Sequence, residues 1–139
     1  AFAHRAASNH VVLYWNCARP TPEVLRVEGI AQNPGEAQEV RSLQFELVGV
    51  DARERDVSEV EGEARDLGIK TNQISPFLLD LRTKGDETRF DLYYDYQFSE
   101  GDLMGVLLAG PPMVLSRHAP QGNRFLVRDV CSETQHRAR

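Results

Sequence analysis

The sequence predicts an antiparallel, immunoglobulin-like β-sandwich of about seven or eight strands. Three observations carry this. Apolar residues recur at every second position in several stretches, most strictly from Thr88 to Phe98. There Phe90, Leu92, Tyr94, Tyr96 and Phe98 alternate with Asp91, Tyr93, Asp95 and Gln97. Turn-forming runs such as Asn33-Pro34-Gly35 and Thr83-Lys84-Gly85-Asp86 separate these stretches. No connection has the helical pattern that a parallel crossover needs.

Taken in order, residues 1–10 (AFAHRAASNH) lack periodicity and read as a flexible arm ahead of a single domain at 11–131. Val11 to Cys17 is dense in β-branched and aromatic residues and reads as a strand. Leu13, Trp15 and Cys17 share one face of it, Val12, Tyr14 and Asn16 the other. Arg19-Pro20-Thr21-Pro22 should end it, because proline supplies no ladder N–H. Val24 to Gln32 and Val40 to Asp51 read as two strands joined by the Asn33-Pro34-Gly35 turn, the central pair of the fold. Leu43, Phe45 and Leu47 mark the buried face of the second.

Val57 to Leu67 alternates Glu59, Glu61, Glu63 and Arg65 with Val60, Gly62 and Ala64. Charged outside and small inside, it suits an edge strand. Gly68 to Ser75 reads as a loop, and Pro76 to Arg82 as a strand with Phe77, Leu79 and Leu81 inward. Within residues 99–122, Leu103 to Ala109 reads as a strand or one helical turn ended by Gly110-Pro111-Pro112; Arg124 to Val130 reads as the last strand, and 132–139 as a mobile basic tail.

A chain of 139 residues is one domain by length and large enough to bury a core. A net charge of −5 argues against nucleic acid as the main partner. The charge is uneven: Asp51, Glu54, Asp56, Glu59, Glu61, Glu63 and Asp66 face only three arginines between residues 51 and 66, whereas no acid precedes Glu23. The acidic stretch reads as solvated surface, with an acidic docking face as the sharper reading. No apolar run reaches the ~20 residues of a transmembrane helix. The start Ala1-Phe2-Ala3 fits a mature protein after signal-peptide removal, and equally a trimmed chain.

Cys17 and Cys131 fit no metal or redox spacing. They are expected to form a disulfide pinning the first strand to the last, across a separation of 114 residues (131 minus 17). Two separate buried thiols are the alternative, and the distance between their Cα atoms decides.

Three groups of residues together resemble the FxLYD family of extracytoplasmic β-sandwich domains. They are Gly29-Ile30-Ala31-Gln32-Asn33-Pro34-Gly35, then Leu43-Gln44-Phe45-Glu46-Leu47 leading to Val50-Asp51-Ala52, and Ser75-Pro76-Phe77-Leu78-Leu79. The likeness spans residues 24–98. It departs from the family pattern at Val48-Gly49-Val50, where a tyrosine before the aspartate is usual, and at Glu54, where a turn glycine is usual. The resemblance implies a secreted or surface-attached bacterial protein and transfers no catalytic residue.

The search for chemistry finds no phosphate-binding glycine loop, no GxSxG elbow, no CxxCH haem site and no HExxH zinc site. Asp91 and Asp95 share a strand face about 13 Å apart, beyond the spacing of about 5–9.5 Å that glycosidases use. No catalytic residue, metal or cofactor is therefore assigned. Tyr93 is a candidate contact residue, and Leu103 to Leu115, with Leu103, Met104, Leu107 and Met113, a candidate apolar partner patch. The expected function is a non-enzymatic, extracytoplasmic interaction or structural module, a subunit of a cell-envelope assembly that binds a protein partner or itself. The alternative is a small-ligand or Ca²⁺ site in loops near Asp51, Asp86 and His118.

Overall fold

The structure is a computed structural model that describes residues 1–99 and 124–132. Among these residues the chain is all-β, with nine strands in two antiparallel sheets. They are β1 (His4–Ala7), β2 (Val12–Thr21), β3 (Val24–Gln32), β4 (Glu39–Asp51), β5 (Asp56–Glu63), β6 (Gly68–Lys70), β7 (Ile74–Arg82), β8 (Glu87–Ser99) and β9 (Arg124–Val127). One sheet runs β1-β2-β3-β7, the other β5-β4-β8-β9 with β6 also on β4. The chain crosses between sheets after β3, β6 and β7, giving the immunoglobulin-like sandwich.

The alternating positions fill the core as expected. Leu13, Trp15, Leu25, Val27, Leu79 and Leu81 face Phe45, Leu47, Leu92, Tyr94 and Tyr96 across the sandwich, all buried. Phe45 stacks on Phe77 of the opposite sheet with ring centroids 4.4 Å apart. Two glycines make this packing possible. A Cβ on Gly62 of β5 would sit 2.5 Å from Leu79 Cδ2, so the absent side chain lets β5 close against β7. A Cβ on Gly29 would sit 1.8 Å from the Tyr14 carbonyl oxygen and 2.7 Å from Trp15 Cα, in the neighbouring strand.

Cys17 and Cys131 form a disulfide, with Cα atoms 5.7 Å apart. It joins β2 of one sheet to the segment after β9 of the other. Beside it the Trp15 indole N–H donates to the Val130 carbonyl at 2.8 Å, which satisfies the one polar atom of a fully buried ring.

Several expectations need correction. The central pair is not a pair: β3 and β4 lie in different sheets, and the Asn33-Pro34-Gly35 segment carries the chain between them. Asn33 is fully buried there and replaces a ladder with its side chain. Its amide donates to the Ala37 and Ile69 carbonyls at 3.0 Å each, and its Oδ1 accepts from Gly35 N at 3.0 Å. The flexible arm expected at residues 1–10 contains β1, which pairs with β2 from His4↔Trp15 to Ala7↔Val12. The following loop is pinned by Tyr96, whose phenol oxygen lies 3.2 Å from both Ser8 Oγ and the His10 backbone N–H. His10 also stacks on Phe98 with centroids 3.8 Å apart. β2 runs on through Pro20 to Thr21, because a register shift between Ala18 and Thr21 removes the need for the proline's missing donor. The loop expected from Gly68 to Ser75 contains β6. The last strand ends at Val127, earlier than Val130.

β4 changes neighbours partway along. Glu39–Arg41 pairs with β6 and Gln44–Val50 with β5, while β8 lines its other edge. The change falls at a bulge where Ser42 adopts a left-handed conformation (φ 55°). The extra residue resets the alternation, so Val40 and Leu43 both face the core.

Candidate interaction surface

Asp51, expected near a ligand or Ca²⁺ site, spends its carboxylate on its own turn. Oδ1 accepts from the Arg53 and Arg55 backbone N–H groups at 2.9 Å each, and Arg55 Nε donates to Oδ2 at 3.0 Å. The Arg55 backbone hydrogen bond is the main cause that holds this carboxyl below its ordinary range, against an opposing desolvation. Within the turn Glu54 takes a left-handed φ of 64°, the conformation for which glycine is usual. Its carboxylate lies 2.5 Å from Arg89 Nη1.

Asp86 is exposed in the turn after β7. Among the described residues no group of three or more His, Cys, Asp and Glu is placed to hold a metal ion. Asp91 is buried and accepts from Arg89 and from the Asp129 backbone N–H at 2.9 Å, so it positions the turn before the disulfide. Asp95, four residues along the same strand, is exposed.

Tyr93 points outward on β8, half-buried, with the Arg124 guanidinium over its ring at 4.3 Å. Arg124 also pairs with Glu46. Tyr93 thus has one face against Arg124 of its own chain and stays partly exposed. Leu103, Met104, Leu107, Met113 and His118 lie outside the described residues. On β5 the outward Glu59, Glu61 and Glu63 form a charged border, with Glu61 opposite Glu46 across the pair. The Glu59 carboxyl is raised first by a hydrogen bond to Glu46 and then by that group's charge. This edge disfavours further strand pairing.

The surface that stands out is the outer face of the β1-β2-β3-β7 sheet. Register builds it row by row. Tyr14 lies beside Ile30, and Ile30 beside Pro76. In the next row Asn16 lies beside Glu28, and Glu28 beside Leu78. Each of these side chains is out of phase with the buried set of its own strand. Leu78 is 45% exposed and Ile74, at the start of β7, 52%.

Phe2, 41% exposed, is drawn back over this face. The Ala3 N–H donates to Asn16 Oδ1 at 2.7 Å, and the Phe2 ring sits 6.2 Å from that of Tyr14. A shallow groove of about 300 Å³ runs between Phe2, Ile30, Pro76 and the Glu28 side chain.

The charges on this face are partly spent. Arg26 grips Asp80 with two hydrogen bonds, at 2.8 and 3.0 Å, which push the arginine up and the aspartate down from their ordinary values. Arg82 meets Glu23 at 3.8 Å. Arg5 lies over the Tyr14 ring at 5.9 Å, and among the described residues neither Arg5 nor Glu28 has an oppositely charged group within ion-pair distance.

Sequence reasoning did not single out this face. Its signal was present in Tyr14, Ile30 and Leu78, which occupy the outward phase of strands whose inward phase is already apolar. The chain matches no known protein-family model and no curated protein.

Proposed function

We propose that this chain is a non-enzymatic, extracytoplasmic interaction module that engages a protein through the outer face of the β1-β2-β3-β7 sheet. The observation that carries this reading is the row Tyr14, Ile30, Pro76 with the exposed Leu78, Ile74 and Phe2 around it. Single exposed apolar residues need no explanation, but a contiguous set across several strands marks a contact surface. Aromatic rings there supply large rigid area at small entropic cost. The Cys17–Cys131 disulfide supports an oxidising compartment. The likeness of residues 24–98 to the FxLYD domains points the same way.

The test is a photo-crosslinking residue placed at Leu78, in cells that produce the protein. Gln97, exposed on the other sheet, serves as the control position. Adducts from position 78 and none from position 97 are expected. No adduct from position 78, or equal adducts from both, overturns the reading. Alkylation of intact cells tests the compartment: two thiols open to a reagent in the steady-state protein would rule out an oxidising location.

A further inference from the structure

We infer that the partner on this face is a second copy of the same chain, docked face to face across a two-fold axis. The inference rests on reading the face as an interface, and the charges decide the occupant. An isologous contact must be self-complementary: what residue i does to residue j, j does to i. Five charged side chains project from the four strands of this face: Arg5, Arg26, Glu28, Asp80 and Arg82. Three of them are paired within the chain, Arg26 with Asp80, and Arg82 with Glu23. Among the described residues the remaining two, one cation and one anion, lie in no ion pair: Arg5, and Glu28, whose charge also acts on Arg26.

Arg5 and Glu28 do not pair with each other among the ion pairs of the described residues. Arg5 lies opposite Tyr14, while Glu28 lies opposite Asn16, one strand further and two residues along. Standard strand spacings put their Cα atoms about 12 Å apart.

A two-fold axis lying in the contact plane, at the perpendicular bisector of the line from Arg5 to Glu28, places each over its counterpart in the second copy. One operation forms both ion pairs. The same axis crosses β2 between Tyr14 and Asn16. It therefore brings Tyr14 and Ile30 of one copy toward Ile30 and Tyr14 of the other, with Phe2, drawn over the face between Tyr14 and Asn16, also at the centre. Apolar contacts fall at the centre and complementary charges on either side. Sheets packed face to face lie about 10 Å apart, a gap that an arginine and a glutamate reach across together. The favoured partner thus needs no charge pattern beyond the one this face already carries.

Sedimentation equilibrium of the oxidised chain tests the proposal, with Arg5→Glu and Glu28→Arg as probes. The expected mass is twice the 15.7 kDa of the chain. Each single reversal sets like charges opposite one another twice, and should raise the dissociation constant by about a hundredfold or more. Mixing the two single variants restores opposite charges at both contacts, and so does combining them in one chain. Both should recover the dimer. A cooperative melt of each single variant, with a midpoint independent of concentration, separates loss of the contact from loss of the fold.

A wild-type monomer at every concentration overturns the proposal, as does a dimer indifferent to both reversals or a loss that neither the mixture nor the double variant repairs. Crosslinking at Leu78 keeps the two readings apart. A purified monomer whose position 78 traps a different protein sinks the second copy and leaves the interface standing. A monomer that traps nothing sinks both.

Discussion

Replacing both cysteines, Cys17→Ser together with Cys131→Ser, removes a link between residues 114 apart in sequence. In the loop-closure treatment, a chain tied over that span loses about 16 cal/mol/K of entropy when unfolded, or about 5 kcal/mol at 25 °C. The folded state keeps its own hold on the ends, because Trp15 Nε1 still donates to the Val130 carbonyl at 2.8 Å. The loss should therefore come chiefly through the unfolded chain. For 139 residues, a melting entropy of about 2.1 cal/mol/K per residue gives about 0.29 kcal/mol/K, so the midpoint should fall by about 15–17 °C. Differential scanning calorimetry of the oxidised protein, the double variant and the reduced wild type measures this. The reduced wild type controls for the new hydroxyls, and its midpoint should fall with that of the variant. In urea the slope of stability against denaturant should rise, since the untied chain exposes more surface. A fall of less than about a third of the stated shift, in a protein whose intact mass shows the bond formed, would refute the reasoning.

Further outcomes follow from single atoms. Tyr96→Phe removes the phenol oxygen that meets Ser8 and the His10 N–H. It should cost about 1–2 kcal/mol, with faster amide exchange at His10. Tyr94→Phe should be neutral or slightly stabilising in the same denaturation assay, because the buried Tyr94 hydroxyl has no hydrogen-bond partner within reach among the described residues. Gly29→Ala sets a methyl against main-chain atoms of β2 and should destabilise by about 3 kcal/mol in a thermal melt. Burial raises the Glu87 carboxyl, but hydrogen bonds from Ser58 and the Lys84 and Gly85 N–H groups together outweigh it, bringing it to about 2 from 4.5. The group's folded value is depressed, so its contribution is complete above pH 4.5 and is lost as pH falls toward 2. Urea midpoints of Glu87→Gln should therefore change less over that window than those of the wild type.

Strand faces were legible in the sequence wherever alternation was strict. The inward sets of Leu43, Phe45 and Leu47, of Phe77, Leu79 and Leu81, and of Phe90 to Tyr96 are the observed core. Alternation says which face a residue takes and nothing about which strand lies beside it. For that reason β3 and β4 looked like a hairpin while lying in opposite sheets. The missed strands are short edge elements: β1 is His-Arg-Ala-Ala and β6 is Gly-Ile-Lys, whose pairing is imposed by neighbours rather than by their own propensity. β2 outran its expected stop because a bulge accommodates Pro20. The left-handed backbone at Glu54 gave no sign in the residue type, since glycine is usual in that conformation. The apolar outer face of the β1-β2-β3-β7 sheet was hidden for another reason. Tyr14, Ile30 and Leu78 come from three strands distant in sequence, and only register sets them side by side. Phe2 joins them through one hydrogen bond in a segment without periodicity.

The order of the strands has a consequence for how the chain becomes this structure. One sheet takes β1 to β3 and then β7, and the other takes β4 to β6 and then β8 and β9. Neither sheet is complete until most of the chain has been made. A chain interrupted after β6 would leave β3 without its outer neighbour and β4 without the strand that lines its full length. Assembly dominated by pairings of such long sequence separation is slow, with sandwiches of this kind folding in about milliseconds to seconds. A nascent chain would hold one edge of β3 and one edge of β4 unpaired until β7 and β8 emerge. During synthesis, the demand on holding factors should therefore peak just before β8 is released.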